Sequence, residues 1–210
     1  IQSRICIGGP AIHTELLSRH MKAKGYETVL IGGATADSEK SIVGKIQRSG
    51  IKLIQIDAMG RKLSLFKDLQ SFWQLYQIIR REKPHIVHTH TAKAGALGRL
   101  AAWLARVPVI IHTFHGHIFH HYFGPLKTHF FILLERLLAH ISDRIIVISQ
   151  RQYDDIVNRY RISAPRKTAI IPLGFELDPF LSRKKEQSLQ NKLGLDASHF
   201  LAALVGRMVP

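Results

Sequence analysis

Cysteine is almost missing from this chain. Cys6 stands alone among 210 residues, so no internal disulfide can form, a usage that suits a reducing compartment. Long apolar runs are missing as well. A membrane-spanning helix needs about 18 or more uncharged apolar residues in a row, and the best stretch, "FFILLERLLAHI", is broken by Glu135 and Arg136. No signal peptide opens the sequence, and Ile1 reads as an internal residue, so continuation past both ends is expected. Neither a GxGxxG dinucleotide fingerprint nor a Walker A phosphate loop occurs. Acids are scarce: 15 Asp and Glu stand against 30 Lys and Arg, a formal charge of +15 with a pI near 10.3. That balance favours a polyanionic partner, whether nucleic acid, anionic lipid headgroups or phosphorylated substrates. Charge alone does not choose among them, since surface charges often only solvate.

At 46% apolar residues the chain can bury a real core. Runs rich in Val and Ile at residues 26–33, 51–56, 84–90, 107–114, 143–149 and 167–174 read as short buried strands. Helical periods lie between them. In 64–81, Leu65, Leu69, Phe72, Trp73, Tyr76 and Ile79 recur at three and four, leaving Lys67, Ser71, Gln74 and Arg81 on the other side. Residues 126–141 repeat the pattern with Phe130, Leu133, Leu134, Leu137, Leu138 and Ile141. Strand and helix in alternation require long crossovers, which implies an α/β, Rossmann-like doubly wound parallel sheet. Residues 1–180 are expected to form that domain, 181–198 a polar connecting segment, and 199–210 the first strand of a second such domain.

Ligands of such sheets bind beyond the carboxyl ends of the strands, so the loops there carry the functional candidates. Gly8 and Gly9 precede a helical pattern, where bare backbone and helix-start amides suit a phosphate or sugar oxygen; a tight strand-to-helix turn explains them equally. His88 and His90, two apart on a strand, leave the same face. Two imidazoles fall short of zinc's three or four ligands, and no Asp, Glu or Cys stands at supporting spacing, so no metal site is assigned. Residues 61–99 hold eight Lys or Arg and two acids, and within this belt Arg61, Lys93 and Arg99 are candidates for gripping a phosphate-bearing or acceptor ligand. The stretch "HTFHGHIFHHYFGP" follows a strand with five histidines and four aromatics. His115 lies nearest the strand end and is the candidate working residue. His117, His120 and His121 are expected to be wetter, and Phe114, Phe119, Tyr122 and Phe123 to form an apolar wall or surface patch.

The segments "GGPAIHTELLSRHMKAKGYETVLIGG", "KPHIVHTHTAKAGALGRLAA", "TFHGH", "IIVIS", "IIPLGFELDPF" and "LVGRMVP", in this order, resemble the amino-terminal half of family 4 glycosyltransferases of the GT-B fold. The resemblance implies two Rossmann-like domains across a cleft, the first mainly holding the acceptor and the second the nucleotide sugar. It implies transfer with retention at the anomeric carbon, a nucleotide sugar as co-substrate, and no cofactor or metal. It matches Gly8 and Gly9 to the turn approaching the donor diphosphate, His115 to the histidine contacting the transferred hexose, and Arg207 to a donor-phosphate ligand. Leu173-Gly174 stands where the family usually has Asn-Gly, and the family's later lysine and paired glutamates would lie beyond Pro210. Two segments, 88–102 and 112–128, also resemble the branch that extends undecaprenyl-diphosphate-linked sugars in polysaccharide assembly. A glycan or prenyl-diphosphate-sugar acceptor, a cytoplasmic location and peripheral contact with anionic membrane would follow. Two other classes remain: a non-catalytic sugar-nucleotide or lipid-binding protein of the same fold, and a basic nucleic-acid-binding module, for which no recognition motif is present.

Overall fold

The computed structural model describes residues 1–35, 40–60, 63–117, 119, 124–182, 188–196, 198–199 and 202. The chain divides into two compact units, Ile1–Gly174 and Phe175–Pro210. The second unit contributes two short helices, Asp178–Leu181 and Ser188–Lys192. The strand expected at 199–210 lies outside the described residues, apart from His199 and Ala202.

All six expected strands form in the first unit, each a little shorter than its apolar run. They are β1 (Val29–Gly33), β2 (Lys52–Ile56), β3 (Ile86–His90), β4 (Val109–Phe114), β5 (Arg144–Val147) and β6 (Thr168–Ile170). β1 and β2 pair in parallel, and β3, β4, β5 and β6 form a second parallel set in that order. Ile1 and Gln2 join the two sets. The Gln2 amide donates to Ile31 O (2.9 Å), the Ile1 nitrogen to His88 O (2.7 Å) and the His90 amide to Ile1 O (2.8 Å). The first two residues thus occupy a strand position between β1 and β3, and the spatial order β2-β1-(1–2)-β3-β4-β5-β6 reverses direction there. That reversal is the topological switch point of a doubly wound sheet, where two neighbouring loops splay apart and leave a crevice.

Alternating side chains along the strands feed two faces. Leu30 of β1 packs with Ile5, Ala11 of α1 (Gly9–Ala23) and Ile46 of α2 (Val43–Arg48). Its neighbour Ile31 points the other way, toward Leu75, Ile78 and Ile79 of α3 (Leu65–Glu82) and Ala94, Ala101 and Ala102 of α4 (Ala92–Leu104). The small residues of α4 let it press directly onto the sheet. A Cβ placed on Gly95 would sit 2.5 Å from His112 Cε1, and one on Gly98 would sit 2.8 Å from Thr89 Cγ2.

Two helices are rotated from the face that their periodicity predicts. On α3 the buried residues are Ser71, Leu75, Ile78 and Ile79, while Leu65, Leu69 and Trp73 of the expected apolar face are exposed. On α5 (Pro125–His140), Ile132, Glu135, Leu138 and Ala139 are buried and Phe130, Leu133 and Leu137 exposed. The inward turn of Glu135 has a cause. Arg99 of α4 is fully buried, and its Nη2 bonds Glu135 Oε2 at 2.7 Å. A buried guanidinium without a carboxylate would cost several kcal/mol, so this pair sets the rotation of α5. Lys167 closes the same helix, its Nζ donating to Ala139 O, His140 O and Ser142 O at 3.3, 3.0 and 2.8 Å.

Candidate functional site at the switch point

The chain leaves the central strand position, turns at Gly8 and Gly9, and enters α1. Gly8 caps the helix with extended backbone, no side chain caps it, and no acid stands in the first turn. No atom lies within 4 Å of where a Cβ on Gly8 or Gly9 would sit, so the face of this turn is open. His13 follows Gly9 by four residues and therefore shares its side of the helix.

His13 meets two rings from the sheet. Its centroid lies 5.8 Å from that of His90, the last residue of β3, and 5.2 Å from that of His115, the residue after β4. His90 Nδ1 and His115 Nε2 share a hydrogen bond of 3.0 Å. His88, two residues before His90 on the same strand face, tilts against it at 4.2 Å and bonds Thr113 Oγ1 at 2.7 Å. The other face of β3 and β4 carries Thr89 and His112, which bond each other at 2.9 Å beneath α4. The backbone turns out of β3 at Thr91 with φ 67 and ψ 155, a conformation unusual for a β-branched residue. The Thr91 hydroxyl bonds Ser3 Oγ at 2.7 Å, and Ser3 Oγ accepts from the Ala94 amide, tying the loop after β3 to the segment before the Gly8 turn.

The cluster is uncharged at neutral pH. Burial pushes His115 down to about 4, with His13 adding to the effect, and pushes His88 down to about 3. The same desolvation holds His90 well below its usual 6.5 and lowers His13. Neutral imidazoles offer a lone pair and an N–H, which suits the hydroxyl groups of a sugar better than a bare anion. Ring nitrogens of His13, His90 and His115 also lie within 4.8 Å of one another. Sequence reasoning singled out His90 and His115 separately and missed His13, which arrives from α1, far away in the chain.

The expected phosphate-gripping residues fare differently. Arg99 is corrected: it lies in the core with Nε on Gly95 O (2.9 Å) and Nη2 on Glu135, turned away from any ligand. Lys93 is mostly covered, and its ammonium is ion-paired with Asp68 of α3. Its charge is thus already compensated. Arg61 and Arg207 lie outside the described residues. The wetter loop histidines are corrected in part, since His117 bonds Asp155 at 3.1 Å and stacks on Phe119 at 5.0 Å. Phe114 and Phe119 are core residues and form no surface patch. His120, His121, Tyr122 and Phe123 lie outside the described residues.

A parallel α/β sheet with a strand-end crevice at its switch point is the architecture of a Rossmann-like half of the GT-B fold. The sequence profile of Glycosyltransferase Family 4 matches residues 7–179, and the chain belongs to that family. It is 33% identical over 161 residues to the UDP-Gal:alpha-D-GlcNAc-diphosphoundecaprenol alpha-1,3-galactosyltransferase of Escherichia coli, covering 76% of this chain and 41% of that protein. It is 29% identical over 163 residues to the capsular polysaccharide biosynthesis glycosyltransferase CapM of Staphylococcus aureus, covering 75% of this chain and 42% of that protein. Anabaena Alr3699/HepE, solved in complex with UDP and glucose, shares the fold with a TM-score of 0.59 at 18% identity, over 91% of this chain and 49% of that one. The chain thus spans less than half the length of these three proteins.

Proposed function

We propose that this chain is the acceptor-side half of a retaining glycosyltransferase. It moves a hexose or N-acetylhexosamine from a nucleotide sugar to a lipid-diphosphate-linked glycan acceptor during polysaccharide assembly. One observation carries the reading: the open Gly8-Gly9 turn, His13, His90 and His115 converge from three elements at the switch point of a family 4 fold. The name of one relative, a diphosphoundecaprenol galactosyltransferase, favours the lipid-diphosphate acceptor, and that of the other favours polysaccharide assembly.

In the reaction the bond between sugar and diphosphate loosens, and negative charge collects on the leaving group. Amides at the start of α1 face that charge, and Arg207 is the residue assigned to meet it from the second domain. Neutral His115 hydrogen-bonds a sugar hydroxyl and keeps the anomeric carbon in reactive geometry. No proton need leave or reach the sugar through His115 for that role, which agrees with a ring held neutral by burial.

Two outer helical faces support attachment to the inner face of the cell membrane. Leu126, Phe130, Leu133 and Leu137 form one exposed stripe on α5, bordered by Lys127 and by Arg136, which also donates to Tyr160 O, and Leu65, Phe66, Leu69 and Trp73 form another on α3. Exposed apolar stripes edged with cations suit an interface of acyl chains and anionic headgroups. No helix among the described residues is long and apolar enough to cross a membrane.

The test is an assay of the whole protein with UDP- and GDP-sugars and a prenyl-diphosphate-sugar acceptor. Turnover should appear with one donor, and His115→Ala should lower kcat by about 100-fold while leaving the melting temperature near that of the parent. Full turnover in His115→Ala would remove the role given to this site; donor binding without transfer would favour a binding protein.

A further inference from the structure

Three histidines from separate parts of the chain meet where the sheet reverses: His13 in the first turns of α1, His90 at the end of β3, and His115 just after β4. Each offers a ring nitrogen, and these nitrogens all lie within 4.8 Å of one another. We propose that His13, His90 and His115 form a binding site for a divalent transition-metal cation of the zinc class, with water completing the coordination.

The geometry is near what such an ion requires. Zinc bonds imidazole nitrogen at about 2.0–2.1 Å, which sets neighbouring ligand nitrogens about 3.3 Å apart in a tetrahedral site. His90 Nδ1 and His115 Nε2 are already 3.0 Å apart. His13 closes the set with a swing on the order of 1 Å, and its partial exposure on α1 gives the ion a way in. His90, by contrast, is 2% exposed and fixed at the end of a paired strand, so the site has one rigid member and one adaptable member.

Chemistry selects the class of ion. Metal binding needs neutral imidazoles, and burial keeps all three rings in that form at neutral pH. Among the described residues no carboxylate belongs to the cluster, which disfavours magnesium and calcium, and no thiolate belongs to it, which disfavours copper(I). An ion here occupies the imidazole that glycosyl transfer uses, so it acts as a blocker of the sugar subsite and not as a cofactor.

The experiment is a titration of the chain with Co²⁺, read by the visible d–d absorption of a low-coordinate site, followed by displacement with Zn²⁺ against a chromogenic chelator. One ion per chain is expected. His13→Ala and His115→Ala should each weaken binding about tenfold or more, whereas His20→Ala, an exposed histidine on the same helix, should change nothing. Thermal unfolding without metal confirms that each variant is native, and two independent ligand variants keep the result readable if one fails to fold. Absence of the absorption band, unaltered affinity in His13→Ala, or an equal loss in His20→Ala would overturn the site. No sugar enters the titration, so its failure leaves the transferase reading standing, and the reverse also holds.

Discussion

Gly95→Ala is expected to destabilise this protein, although the same change in most helices stabilises. In a helix interior, Ala is favoured over Gly by about 0.5–1 kcal/mol because the unfolded chain loses less entropy on folding. At Gly95 the new methyl would lie 2.5 Å from His112 Cε1 and 2.9 Å from its Nδ1, whereas carbon atoms in contact sit about 3.5–4.0 Å apart. Either α4 withdraws by about 1 Å or the His112 ring moves. The ring has nowhere to go: it is 1% exposed, and its Nδ1 is held by Thr89 Oγ1 at 2.9 Å. Overpacking of this kind costs about 1–3 kcal/mol, and losing the hydrogen bond adds about 1 kcal/mol. The balance is a loss of about 1–3 kcal/mol, or a fall of roughly 2–4 °C in melting temperature per kcal/mol. Gly44→Ala supplies the opposite sign in the same protein. Its methyl meets only the flexible Arg48 Nη1 at 3.7 Å on the exposed side of α2, so a gain of up to about 1 kcal/mol is expected. Urea denaturation with matched slopes measures both, and a double-mutant cycle with His112→Ala should return a coupling of about 1 kcal/mol or more. A Gly95→Ala protein as stable as the parent, or a cycle with no coupling, would refute the packing argument.

Glu135→Ala should cost about 3–5 kcal/mol in urea unfolding by stranding the buried Arg99 guanidinium, while the double change Arg99→Met with Glu135→Leu should cost far less. Lowering the pH should weaken the fold through His112, whose burial beside Arg99 holds it well below 6.5. Because the folded state prefers the neutral ring, this stability is complete above pH 6.5 and drains away below it. This residue's share of the loss between pH 7.5 and pH 5 should disappear in His112→Gln, as urea unfolding at the two pH values measures. Replacing Phe130 and Leu137 together by Ser should reduce partitioning onto anionic vesicles at least about tenfold in a flotation assay, since each buried apolar side chain is worth about 1.5–3 kcal/mol. Melting temperature should barely change in that variant, because both side chains already face outward.

The strands were legible because a sheet buried on both faces needs unbroken apolar runs, and such runs have no competing explanation at that length. Helix rotation was not. On α3 and α5 the periodicity marks an apolar stripe, but apolar residues occupy more than half the circumference, so the pattern cannot say which part faces the sheet. On α5 the deciding contact is polar and distant in sequence, since Glu135 reaches Arg99 across 36 residues. The strand position filled by Ile1 and Gln2 was illegible for a simpler reason, since two residues carry no period. His115 was legible from its place after β4, whereas His13 was not, because an isolated histidine on a helix announces nothing until the turn before it is placed against the sheet.

Two of the candidate cations near the crevice, Lys93 and Arg99, bring it little of the net charge of +15. Lys93 is answered by Asp68, Arg99 by Glu135, and the four clustered histidines carry no charge at neutral pH. Among the described residues at the switch point, the positive pole left for a diphosphate is the amide end of α1, open because Gly8 and Gly9 bring no side chains and the first turn brings no acid. A dipole of that size binds one phosphate weakly, so the transfer reading needs a further cation for the diphosphate. Under the proposed membrane attachment, the exposed stripe on α5 with Lys127 at its edge would match anionic lipid better than a soluble polyanion, which would gain nothing from Phe130.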